Sequence, residues 1–134
     1  FKLKPAARSA LVDYLASLQG PDYSPPPAGD PVSRGRAVYR RAGCVACHGA
    51  SGSGGHPNSN VAGEAIPALN RTAQTFTPAE LTEKIRRGSR PVAKDPNGPP
   101  PAVSMPAWGS VLAGDEIDAV AAYLLSLGDA ADAW

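Results

Sequence analysis

Residues that usually carry chemistry are scarce in this chain. It has two cysteines, two histidines and one methionine. That excludes a disulfide-dense scaffold and a four-cysteine zinc module. No apolar run approaches the roughly 20 residues that cross a bilayer. There is no basic-then-apolar leader and no Met at position 1, which fits a processed chain or a fragment. Basic and acidic residues nearly cancel, 13 against 12, so net charge gives no reason to expect a nucleic acid partner. Proline and glycine are abundant instead, 15 and 14 residues. They predict long ordered loops between a few helices, in one domain with an appendage.

The two cysteines fall together in Cys44-Val45-Ala46-Cys47-His48. This is the spacing of a c-type haem attachment run. Two thiols three positions apart can each add to one vinyl group of a porphyrin. The imidazole that follows is then held under the ring, where it can ligate the iron. The competing readings are a disulfide, a thioredoxin-like pair and a zinc site. A thioredoxin-like pair should follow a buried strand, but the residues before Cys44 read as helix. A zinc site needs four ligands, and only His48 and His56 could join the two thiols. All four would then lie in one Gly/Ser-rich loop with no core behind it.

Helices are expected on either side of the run. Residues 5–19 carry Ala7, Leu11, Tyr14, Leu15 and Leu18 at helical spacing, between Pro5 and a stop at Gly20. Pro21 to Pro31 reads as an extended linker. The next helix should start at Asp30-Pro31 and put Gly35, Val38, Tyr39 and Ala42 on one face. Residues 49–66 read as a loop, followed by the short apolar return Ile66-Pro67-Ala68-Leu69. No Gly-Lys-Ser/Thr follows the Gly-rich run, so it is not a phosphate loop. Thr77-Pro78-Ala79-Glu80 is a capping box that opens a helix with Leu81 and Ile85 inward and a stop at Gly88. A proline-rich stretch, residues 89–110, holds Met105. A last helix, Asp115 to Leu127, should bury Ile117, Val120, Ala121 and Leu124 and end at Gly128.

In this order the features resemble a class I cytochrome c, from about Val32 to Leu127. The resemblance rests on Gly35 and Tyr39 in a helix, Cys44-Val45-Ala46-Cys47-His48-Gly49, then Met105-Pro106-Ala107-Trp108-Gly109, then a terminal helix bearing Tyr123. It implies an all-α fold in which the first and last haem-domain helices cross near Gly35 and Tyr123. It also implies one covalent haem c bound by Cys44 and Cys47, with His48 and Met105 as axial iron ligands. Pro67 sits where the family uses a carbonyl to accept a hydrogen bond from the proximal His Nδ1. Trp108 is expected as a haem-pocket aromatic or propionate donor.

The function implied is one-electron transfer, as a free carrier or as a fixed subunit of a larger redox complex. A haem enzyme or gas-binding protein would instead need an exchangeable distal ligand. A zinc-bound interaction module is the non-redox reading. Redox partners are implied, with a membrane-associated respiratory or photosynthetic complex among them. The implied compartment is the periplasm or an equivalent extracytoplasmic space. Bases crowd between Arg34 and Lys94, and none follows Lys94. This lopsidedness suggests a dipolar protein that docks on an acidic partner face.

Residues 1–28 form a helix and linker outside the expected haem domain, 29–134. Leu3, Tyr14-Leu15 and Ser17-Leu18 recur, equally offset, as Leu112, Tyr123-Leu124 and Ser126-Leu127. Either this helix closes a preceding cytochrome domain, or it docks a partner subunit.

Overall fold

Two helices far apart in the chain frame the core of the computed structural model, which describes residues 3–18 and 29–129. The first, α2 (Pro31–Arg41), begins where expected: Asp30 Oδ2 accepts the Ser33 N–H at 2.9 Å, and Pro31 fills the first turn. The last, α6 (Gly114–Asp129), turns Ile117, Val120, Tyr123 and Leu124 inward. Val38 and Tyr39 of α2 are 0% and 1% exposed. Burying an aliphatic side chain this fully stabilises by about 1.5–3 kcal/mol.

The two helices cross as closely as the backbone allows. A Cβ at Gly35 would lie 1.9 Å from the Ala119 carbonyl oxygen, so only glycine fits there. Next to the crossing, the Tyr39 and Tyr123 rings meet edge-on with centroids 5.3 Å apart. Such a pair adds about 0.5–1.5 kcal/mol beyond the area it buries. The expected crossing near Gly35 and Tyr123 is therefore present. Two ion pairs, Arg34–Asp115 and Arg41–Glu116, fasten α2 to the start of α6.

The remaining elements pack around this frame. α3 (Cys44–His48) follows α2 directly. α5 (Pro78–Arg87) opens with the anticipated capping box: Thr77 Oγ1 accepts the Glu80 N–H, and Glu80 accepts the Thr77 N–H. Its Leu81 and Ile85 join the core. A short 3₁₀ turn spans Trp108–Ser110. No strand occurs among the described residues, which hold only two isolated bridges, Pro57 with Ala65 and Ser89 with Met105. The fold is all-α.

Two details differ from expectation. A short helix, α4 (Thr72–Thr75), lies in a stretch whose polar sequence shows no apolar period. It is held from outside, as Thr72 Oγ1 donates to the Leu124 carbonyl of α6 at 2.8 Å. Gly128 does not stop α6, which runs on to Asp129. Gly128 is buried near Ala73 and the Asn70 carbonyl.

α1 (Pro5–Ser17) forms where expected but buries none of its residues. Leu11, Tyr14 and Leu15 of its apolar stripe are 44%, 60% and 55% exposed. The expected stop at Gly20 and the linker positions 21–28 lie outside the described residues.

Candidate haem site

The site starts from α3. Cys44 and Cys47 sit one helical turn apart, so their side chains share a face. Both are half-buried free thiols. Burial pushes the Cys44 thiol above its ordinary range, and the neighbouring Cys47 adds to the shift. The end of α3 is tied back to the frame. Tyr39 Oη donates to the Gly49 carbonyl at 2.8 Å, and the Gly54 N–H donates to the His48 carbonyl at 2.9 Å. Tyr39, expected only as a core residue, thus also anchors the attachment run.

His48 is half-buried, and its Nδ1 lies 3.3 Å from the Pro67 carbonyl oxygen. A carbonyl oxygen only accepts, so this contact places the ring proton on Nδ1 and leaves the Nε2 lone pair available. Burial lowers the imidazole pKa below its usual value, and the Pro67 contact partly opposes that. The neutral ring is the form that binds a metal.

Met105 is half-buried in the loop after α5. Its backbone is paired on both sides with Ser89: the Met105 N–H donates to Ser89 at 2.9 Å, and the Ser89 N–H donates to Met105 at 3.0 Å. Gly88 makes that pairing possible. Its φ of +71° and ψ of −167° fall in a region essentially restricted to glycine. A Cβ there would lie 2.5 Å from both the Met105 and the Pro106 carbonyl oxygens. Trp108 is half-buried against the core cluster, as are Val45, Leu69 and Phe76.

This donor set fits a covalently held haem. It offers two thiols on one face, an imidazole oriented through its other nitrogen and a thioether on a paired loop, and Cys44, Met105, Val45, Leu69, Phe76 and Trp108 all pack against one core cluster. A zinc site finds no such support. Among the described residues, no three or more His, Cys, Asp or Glu side chains gather where a metal ion could sit. His56 is exposed in the loop that follows α3.

The family model for cytochrome c matches residues 32–128. The chain belongs to the cytochrome c family. No curated protein and no solved structure matches it. The family carries covalent haem c with iron, and this cytochrome is an electron-transfer protein.

Three residues with a place in the site escaped the sequence reading. Gly88 was expected only as a helix stop. Asn58 and Asn60 were expected as ordinary loop residues. Asn60 accepts the Asp95 N–H at 2.7 Å and donates to the carbonyls of Asp95 at 2.9 Å and Pro99 at 2.6 Å. Asn58 grips Val103 in the same manner. Their place in a Gly/Ser/Asn-rich segment hid them, since the partners lie 35 to 45 residues away.

Proposed function

We propose that this cytochrome passes single electrons through an iron held by His48 Nε2 on one side and Met105 Sδ on the other. The observation that carries the reading is the contact between His48 Nδ1 and the Pro67 carbonyl. It fixes the ring and its tautomer, which is what a proximal ligand requires. When bound, the haem supplies a one-electron ferric/ferrous couple. The chain's own residues set its character. A soft thioether opposite imidazole favours the ferrous state and raises the potential. His48 and Met105 together would hold the iron without leaving a position for bond chemistry, which suits a protein that stores and passes charge. Cys44 and Cys47 tether the ring, and Trp108 is assigned to its apolar wall.

The protein acts as a carrier or as a fixed subunit of a larger redox complex, in an extracytoplasmic compartment. The division proposed is residues 1–28 apart from a haem domain 29–134, and it is supported by α1, which buries none of its residues. The bases of the 34–94 stretch left for an acidic partner narrow to the exposed Arg36, Arg40, Arg71, Lys84 and Arg90. Each of these lacks an ion pair among the described residues, whereas Arg34 and Arg41 are neutralised by Asp115 and Glu116. Electrostatic attraction of this kind raises the encounter rate more than the final affinity.

Visible spectra of native protein and of Met105→Ala test the ligand assignment. Native ferric protein should show the weak long-wavelength sulfur-to-iron band, and native ferrous protein should resist carbon monoxide. Met105→Ala should lose the band, bind carbon monoxide readily and have a lower potential. A band that survives the substitution rules out Met105 as the ligand. Rapid carbon monoxide binding to native protein would favour an enzyme or gas-binding haem instead.

A further inference from the structure

The segment that follows the attachment run braces the loop that carries Met105. Asn58 is only 5% exposed, although it lies among residues that read as a solvated loop. Both functional groups of its side-chain amide are used, and on a single residue. Asn58 Nδ2 donates to the Val103 carbonyl at 3.0 Å, and the Val103 N–H donates to Asn58 Oδ1 at 2.9 Å. The side chain therefore pairs with Val103 as a neighbouring strand would. Val103 stands two residues before Met105, and Met105 is itself paired with Ser89 from the α5 side. The sulfur-bearing residue thus hangs between two fixed points. One is Ser89, two residues past the end of α5, and the other is a single buried amide.

From this we infer that Asn58 is a positioning residue for the distal sulfur, holding Met105 against exchange with outside ligands. The inference rests on the assignment of Met105 as an axial ligand. Removing the amide leaves the polar groups of Val103 without partners and frees the loop end nearest the sulfur. The loop then opens more often while the α2–α6 frame stays closed, because local opening and global unfolding are separate equilibria. Each opening exposes the iron position to competing ligands, so the rate of ligand uptake reports the opened population.

The test is the rate at which ferric haem protein binds imidazole, measured with the sulfur-to-iron band and the denaturant midpoint. Asn58→Ala should bind imidazole at least about tenfold faster than native protein, given two lost hydrogen bonds, and its band should weaken. Thr72→Val is the control. Thr72 is equally buried and its hydroxyl bonds to Leu124 across the core. It should lower the midpoint without speeding imidazole uptake. The inference is overturned if Asn58→Ala takes up imidazole no faster than Thr72→Val. Should Asn58→Ala fail to assemble, Asn58→Ser is judged by the same criterion. Met105→Ala separates the two claims. If it binds imidazole no faster than native protein, the ligand assignment itself fails. If it is fast while Asn58→Ala stays slow, only the brace fails.

Discussion

At the residue scale, the site depends on groups whose contribution is conformational rather than chemical. Gly88 combines a backbone geometry reserved for glycine with close contact to the Met105 and Pro106 carbonyls. Gly88→Ala should cost about 1–3 kcal/mol in backbone strain alone and push the Met105 loop outward. Denaturant titration and the sulfur-to-iron band together check this: both midpoint and band should fall. A sequence shows that a glycine follows α5, and that signals a helix stop. It does not show that two carbonyls will pass in front of the glycine. Asn58 poses the same difficulty, as its composition context predicts a turn. Cys44, Cys47 and His48 stand out in the sequence by residue type and spacing, and Met105 through the family resemblance. The residues that hold them in place do not, because their partners are set by the tertiary fold.

At the element scale, helix starts were read well and the shortest helix was not. Asp30 and Thr77 cap α2 and α5 through contacts within three residues, so local sequence suffices. Thr72–Thr75 owes its helix to α6, and no local pattern could announce it. The α2–α6 joint also carries a pH dependence. Glu116 is held below its ordinary pKa of 4.5, first by the Arg41 guanidinium and also by the Ala113 N–H. A carboxylate lowered in the folded state releases its proton more easily there than in the unfolded chain. Its stabilisation is therefore complete above about pH 4.5 and is lost as pH falls through the lower folded value. Glu116→Gln should flatten that part of the stability profile and lower the midpoint near neutral pH. Denaturant midpoints at pH 7 and pH 3.5 check both effects.

At the scale of the whole molecule, charge and domain plan come apart from their linear appearance. Along the sequence, bases crowd one stretch and acids another. In space, Arg34 and Arg41 lie on Asp115 and Glu116, so part of the sequence asymmetry cancels inside the protein. The N-terminal helix contributes differently again. α1 forms as its period predicts, yet it buries none of its residues. Deleting residues 1–28 should leave the thermal midpoint, the spectrum and the potential of the haem domain unchanged. Calorimetry and redox titration of the shortened protein check this, and a large drop in midpoint would show that α1 supports the haem domain.

The tight crossing of Gly35 over Ala119 also bears on the order in which the protein can assemble. The two contacting positions enclose nearly the whole haem domain between them. A chain still emerging from synthesis has made Cys44-Val45-Ala46-Cys47-His48 well before it has made Ala119, since domains are completed from the N-terminus onward. Until then Val38 and Tyr39 lack the surface that covers them. The thiols are thus presented on a polypeptide whose frame cannot close until Ala119 has been made.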